Sequence, residues 1–114
     1  MKINQFEEIT SWQKSKELIL EVYKIFKNNR DYSFKDQIQR CAISIINNIA
    51  EGFERSGNKE FKYFLFMAKG SCGEFRSMLY LAVELKYISK EEFEKLHQLS
   101  LEISRLISGL IKTL

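Results

Sequence analysis

Proline is absent from this 114-residue chain, and glycine occurs only five times. Tight turns are rich in these two residues, and a small β-sandwich needs many such turns, so the composition argues against that fold. Cysteine occurs twice, at Cys41 and Cys72, which is too few for a disulfide scaffold and lacks the C-x-x-C spacing of a redox motif. We expect both cysteines to pack as small hydrophobic side chains.

Catalytic and metal-binding patterns are equally scarce. His97 is the only histidine, so one chain cannot assemble a typical zinc site without a second histidine or a cysteine pair. Glu94 and His97 form a single Glu-x-x-His pair, whereas a di-iron bundle uses two. Glycine-rich phosphate loops, G-x-S-x-G and H-E-x-x-H are absent. We therefore expect a protein that is not an enzyme and has no cofactor, no metal and no small-molecule substrate.

Long apolar runs and a strong net charge are also missing. No run approaches the ~18 apolar residues that a membrane span needs, and Glu7 and Glu8 argue against a secretory signal peptide. We expect a cytoplasmic protein with no membrane partner. The formal net charge of +3 neither requires nor excludes nucleic acid. With 45% hydrophobic and 29% charged residues, the chain has the composition of one folded domain over residues 1–114.

Apolar residues recur every three or four positions in four segments of the chain. This spacing predicts helices over about residues 11–28, 34–54, 59–86 and 90–113. Four amphipathic helices with short connections specify an all-α fold, an antiparallel up-down-up-down four-helix bundle.

Side chains that can accept hydrogen bonds from free backbone N–H groups stand at the start of each helix. The predicted N-caps are Thr10, Ser33, Asn58 and Ser89. Gln13 and Glu92 follow the first and the last of these at the capping-box spacing.

The second predicted helix carries a polar strip opposite its isoleucine-rich face. The strip consists of Arg40, Ser44, Asn47, Glu51 and Arg55, with Asn48 at its margin. Asparagine in a helix costs about 0.5 kcal/mol relative to alanine, so an adjacent pair is unexpected on a face that is only solvated. Either the strip is an ordinary solvated face, or it meets another subunit, a partner protein or a phosphate backbone.

The third predicted helix carries aromatic and small residues opposite its core face. They are Phe66, Gly70, Gly73, Ser77 and Tyr80. A glycine inside a helix costs about 1 kcal/mol relative to alanine unless a close approach offsets the loss. Two explanations stand: a neighbouring subunit covers this face, or small residues pack inside a monomeric bundle. We favour the first, because apolar groups point nearly all round the helix between residues 61 and 68.

Several stretches of the sequence are similar to one known family. They are Trp12-Gln13, residues 37–45 (QIQRCAISI), residues 47–52 (NNIAEG), Arg55, Glu60-Phe61, residues 68–71 (AKGS) and Glu74. These stretches resemble the 23S rRNA-intervening-sequence protein family of small bacterial four-helix bundles. In Leu85-Lys86-Tyr87-Ile88, which resembles the family's turn into the last helix, Lys86 replaces the usual glycine.

The resemblance implies a homo-oligomer, most simply a homopentamer. Some members are encoded within insertions in 23S rRNA genes, and their molecular role is undetermined. A related group, the accessory proteins of diversity-generating retroelements, forms basic pentamers that bind a reverse transcriptase and nucleic acid. That relation supports RNA binding only by analogy.

Two functions from different classes are left open. The first is a non-enzymatic oligomer associated with RNA or a ribonucleoprotein, and its expected phosphate-binding residues are Arg40, Arg55, Lys59 and Lys62. Residues 24–40 and residues 55–76 each carry five basic and two acidic residues, and repetition in an oligomer would strengthen phosphate binding. The second is a protein-interaction adaptor whose homo-oligomer docks a partner enzyme, with no direct RNA role.

Overall fold

Four long helices form the structure, a computed structural model that describes residues 2–114. They are α1 (Thr10–Ile25), α2 (Tyr32–Glu54), α3 (Asn58–Glu84) and α4 (Lys90–Lys112), preceded by a 3-10 turn at Phe6–Glu8. Short connections make consecutive helices antiparallel. Within residues 2–114, α1 packs against α2 and α4 but not against α3, so α1 and α3 occupy opposite corners. The predicted all-α four-helix bundle is confirmed.

The core runs along the centre of the bundle and draws apolar side chains from all four helices. Its largest fully buried side chains are Leu18, Val22, Phe26, Ile38, Ile45, Ile49, Leu65, Phe75, Leu79, Leu96, Ile103 and Ile107. Each such side chain stabilises the fold by about 1.5–3 kcal/mol relative to an exposed position. Cys41 and Cys72 are buried and free, as expected, and burial raises the pKa of Cys72 to about 11, so its thiol stays protonated.

The helices that pack most closely are α2 and α3, and Gly52 is the reason they can. A Cβ atom at Gly52 would lie 2.6 Å from Cβ of Phe64 and 3.1 Å from Cδ1 of Phe61. No side chain can tolerate the first distance without a shift of the backbone. Gly52 lies inside α2, so its role is this close approach rather than ending the helix.

The start of α4 follows the sequence prediction and the start of α2 does not. Ser89 Oγ accepts from the Glu92 N–H at 3.0 Å, and Glu92 Oε1 accepts from the Ser89 N–H at 2.8 Å, which confirms the capping box. The prediction of Ser33 as a cap is wrong. Asp31 takes that position, because its Oδ1 accepts from the Phe34 N–H at 3.1 Å, and α2 therefore begins at Tyr32.

The other two predicted caps are also wrong. Ile9 precedes α1 with no side-chain hydrogen bond, and the amide of Gln13 donates instead to the carbonyl of Glu7 at 2.8 Å. Asn58 is the first residue of α3, and the cap position belongs to Gly57, whose φ of 90° suits glycine.

Two helices end earlier than their patterns predict. Helix α1 ends at Ile25 rather than near residue 28, because the backbone tightens: the Asn29 N–H donates to the carbonyl of Phe26 at 3.0 Å. The side chain of Asn29 then accepts from the Asp31 N–H at 2.8 Å, so asparagine binds the backbone in competition with the helix.

Helix α3 ends in a left-handed residue that is not glycine. Lys86 has a φ of 64°. Its N–H donates to the carbonyl of Val83 at 3.1 Å, and the Tyr87 N–H donates to the carbonyl of Ala82 at 2.9 Å. This pair of bonds is a Schellman motif, which usually has glycine at the left-handed position. It ends α3 at Glu84, two residues before the predicted position of 86.

Candidate functional site

The structure divides the polar strip of α2 into an internal part and an external part. The hydroxyls of Ser44 and Ser71 share a hydrogen bond of 2.9 Å that joins α2 to α3. Asn48 Nδ2 donates to the carbonyl of Ser44 at 2.8 Å, and both residues are partly buried. Ser44 and Asn48 therefore form a seam within the bundle, whereas Asn47 and Glu51 are exposed.

The two arginines among the expected phosphate-binding residues are ion-paired within the chain. Arg40 Nε lies 2.7 Å from Oδ2 of Asp36 on the same helix. Arg55 Nη2 lies 2.7 Å from Oε2 of Glu51, and its guanidinium sits 4.9 Å from the centroid of the Phe64 ring. The Glu51 hydrogen bond is the main reason that the pKa of Arg55 is raised. These pairs reduce the positive charge that either arginine offers to a phosphate.

Lys59 and Lys62 are different, because neither forms an ion pair within residues 2–114. They lie in the first turns of α3, close to Arg55 at the α2–α3 turn. Lys2 lines a cleft with Arg55 at the same end of the bundle. We call Lys2, Arg55, Lys59 and Lys62 the basic end. Arg40 lies fifteen positions before Arg55 on α2, about 22 Å away along the helix, so the structure does not bring it to this group.

Lys2 could not have been assigned to this group from the sequence. No local pattern marks it, and only the antiparallel order of the helices returns the first residues to the α2–α3 turn.

The solvent-facing side of α3 is more apolar than the sequence pattern indicated. Phe66 and Tyr80 are each 55% exposed, Tyr63 lies beside them, and the structure adds Met67 and Leu81 to the same side. We call the following set the outer face of α3: Tyr63, Phe66, Met67, Gly70, Gly73, Ser77, Tyr80 and Leu81. The helix has 27 residues, so this face extends over much of about 40 Å.

The two glycines of the outer face have no packing role within the chain. A Cβ atom at Gly70 would meet nothing within 4 Å, and one at Gly73 would meet only Nη2 of Arg76 at 3.9 Å. The alternative explanation, small-residue packing inside a monomeric bundle, is therefore wrong for this face.

An aromatic cluster fixes the edge of the outer face beside α4. Tyr80 Oη lies 3.2 Å from Nε2 of His97, and the His97 ring stacks on Phe93 with centroids 5.2 Å apart. Within residues 2–114, no three histidine, cysteine or carboxylate groups come together in a way that could hold a metal ion. The contacts that His97 makes are with the aromatic side chains of Tyr80 and Phe93.

A second exposed apolar pair lies on the opposite side of the bundle. Leu20 and Tyr23 of α1 are 62% and 44% exposed. Because α1 and α3 occupy opposite corners, this pair and the outer face of α3 point in different directions.

Comparison with known proteins places the chain in a family. A family model described as 23S rRNA-intervening sequence protein matches residues 7–109. The chain belongs to this family. A crystal structure of a protein of unknown function from the S23 ribosomal protein family of Bacteroides thetaiotaomicron is similar, with 27% sequence identity and a TM-score of 0.84. The similarity covers 90% of this chain and 99% of that one.

The search of curated proteins found no match. None of the helices between residues 2 and 114 has both the length and the apolar character needed to cross a bilayer.

Proposed function

We propose that this member of the 23S rRNA-intervening sequence protein family is a non-enzymatic, cytoplasmic homo-oligomer that associates with structured RNA or a ribonucleoprotein. The observation that carries the proposal is the outer face of α3, where exposed aromatic side chains surround two glycines with empty space beside them.

Assembly explains the exposed apolar side chains and the two glycines of the outer face, which have no role in a monomer. Contiguous exposed apolar surface on a helix marks an interaction site. Gly70 and Gly73 each lower helix stability by about 1 kcal/mol, and no close approach within the chain offsets that loss. A second copy lying against the bare backbone at these positions would offset it.

The position of Leu20 and Tyr23 favours a ring over a two-fold dimer. A two-fold dimer uses one surface twice, whereas a closed ring uses two different surfaces on each subunit. The outer face of α3 and the Leu20–Tyr23 pair lie on different sides of the bundle, so each subunit carries the two different surfaces that a head-to-tail ring uses. The resemblance to the family implies that the ring contains five subunits.

Phosphate binding is assigned to the basic end, with the lysines as its main contributors. Lys59 and Lys62 carry charges with no acidic partner within residues 2–114, whereas Glu51 and Glu60 lie near Arg55. A ring repeats this group in each subunit, so contacts that are weak singly add up.

Binding of a labelled RNA hairpin at two salt concentrations tests the assignment. We expect the affinity to fall steeply between ~50 and ~200 mM salt, and the double variant Lys59→Gln/Lys62→Gln to flatten the salt slope by about two per subunit. The charge-matched control is Lys16→Gln/Lys90→Gln, which alters exposed lysines outside the basic end and leaves the slope unchanged. Equal affinity at both salt concentrations contradicts phosphate binding.

The second candidate function is an adaptor whose homo-oligomer docks a partner enzyme without a direct RNA role. The specific observation in its favour is that Arg40 and Arg55 are already paired with Asp36 and Glu51. If the unaltered protein binds the hairpin no better than the Lys59→Gln/Lys62→Gln variant, the result favours the adaptor function.

A further inference from the structure

A cleft of about 330 Å³ opens between the start of α1 and the last turns of α4. Its apolar walls come from Ile3, Ile9, Leu106 and Leu110. A cavity of about 150 Å³ holds benzene, so this one has room for roughly a dozen non-hydrogen atoms, at the small end of ligand sites. Arg55, Lys59 and Lys62 of the basic end do not line it.

A buried hydroxyl without a partner lines this cleft. Ser11 is 2% exposed, and its Oγ has no hydrogen-bond partner within residues 2–114. Ser11 lies on the core-facing side of α1 with Leu18 and Val22, at a position that lines the cleft. A buried hydroxyl without a partner destabilises a fold, and such groups call for an explanation. A ligand oxygen would provide the missing partner.

Positive charge is available at the same place from the helix and from one arginine. The N–H groups of Thr10, Ser11 and Trp12 begin α1, and no acceptor within residues 2–114 bonds to them. Free N–H groups at a helix start attract anions. Arg105 of α4 also lines the cleft and forms no ion pair within these residues.

Glu8 is the one acidic residue that lines the cleft, and it opposes an anion there. Its Oε1 accepts a hydrogen bond from the Asn4 N–H at 3.1 Å. This residue gives the test a variant that should tighten binding.

Gly109 leaves the backbone of α4 bare where it lines the cleft. A Cβ atom there would meet nothing within 4 Å, so packing within the chain does not require this glycine. A glycine inside a helix is destabilising, and close approach of another molecule is a physical reason to keep it.

We propose that the cleft binds a small monocarboxylate of about a dozen non-hydrogen atoms, most of them in an apolar body. The carboxylate meets the free N–H groups of α1, the Ser11 hydroxyl and the Arg105 guanidinium. The apolar body lies over Gly109 between Ile9 and Leu106. This site goes beyond the proposed RNA association, which does not use the cleft.

Titration calorimetry of the full chain with sodium decanoate tests the proposal. We expect one saturable site per chain with a Kd at or below ~1 mM, and at least tenfold weaker binding of decanol, which lacks the charge. Arg105→Met should weaken decanoate binding at least tenfold, and Glu8→Gln should tighten it. Arg40→Met makes the same change at an exposed arginine outside the cleft and should leave the affinity unaltered.

Gly109→Leu tests the location of the site. The variant should fold, because its side chain enters empty space and leucine favours helix, and it should lose decanoate binding. Circular dichroism checks the fold, and Arg105→Met provides an independent test.

Four results overturn the proposal: no saturable binding of decanoate, equal binding of decanol, undiminished binding by Gly109→Leu, or a change in particle mass in Gly109→Leu. The last result would show that a second copy fills the cleft.

Discussion

The hydroxyl of Tyr87 donates a hydrogen bond of 2.6 Å to Oδ2 of Asp31, a residue 56 positions earlier in the chain. The other carboxylate oxygen of Asp31 caps α2, and the Tyr87 ring meets Phe34 edge-on at a centroid distance of 5.3 Å. One carboxylate therefore fixes the start of α2 and joins it to the turn between α3 and α4.

The Tyr87–Asp31 bond makes stability depend on pH in acid. The Tyr87 hydroxyl, followed by the Phe34 N–H, lowers the pKa of Asp31 below its ordinary value. A lowered pKa stabilises the folded state above the unfolded value of about 3.9, and this contribution is lost as the pH falls through the folded value. Tyr87→Phe should therefore reduce the free energy of unfolding at pH ~7, and the reduction should shrink below pH ~3.9.

Urea unfolding at both pH values measures this difference. Tyr32→Phe is the matched control, because the Tyr32 side chain is 70% exposed and its hydroxyl forms no hydrogen bond to another side chain or backbone group within residues 2–114, and it should change stability at neither pH. A Tyr87→Phe effect of the same size at both pH values would show that the charge of Asp31 does not contribute.

Lys86→Gly should stabilise the protein by about 0.5–1 kcal/mol. Lys86 has a φ of 64°, where any residue with a Cβ atom is strained, and glycine removes that strain at some cost in unfolded-state entropy. Thermal or urea unfolding measures the gain. Lys86→Ala retains the Cβ atom and removes the charge, so it should not reproduce the gain. If both variants stabilise equally, charge rather than backbone strain is responsible.

Gly52→Ala should destabilise the protein by about 1–2 kcal/mol. The new methyl group would lie 2.6 Å from Cβ of Phe64, which forces α2 and α3 apart, and the helix propensity of alanine offsets only part of that loss. Gly109→Ala is the control, because the same substitution enters empty space and should stabilise by about 0.5–1 kcal/mol. The two substitutions should change the free energy of unfolding in opposite directions. A more stable Gly52→Ala variant would contradict the close approach of α2 and α3.

The sequence predicted the features that depend on local spacing. The four helices follow from apolar residues every three or four positions, and the box at Ser89 and Glu92 follows from residues three apart. Ser33 and Asp31 can both cap a helix, and the side chain that joins Asp31 to the opposite turn comes from Tyr87, far along the chain. No local pattern contains that contact, which is why the prediction of Ser33 was wrong.

The candidate site was predictable only in part for the same reason. The sequence placed Phe66, Gly70 and Tyr80 on the face of α3 away from the core, and the structure has them there. It could not show that Ser44 faces Ser71, because that contact depends on the register between α2 and α3. It also could not show that both predicted arginines are paired, because the conformations of long side chains are not encoded in spacing.

The most direct test of the account is the mass of the protein in solution, measured by light scattering at micromolar concentration. The outer face of α3 predicts a particle several times larger than the 13.5 kDa chain, and a ring predicts five times that mass. A Cβ atom added at Gly73 would meet only the tip of Arg76 within the chain. The Gly73→Leu variant should therefore keep its helical circular dichroism, and its particle mass should shift toward that of one chain. A wild-type particle of 13.5 kDa, unchanged by Gly73→Leu, would contradict the account.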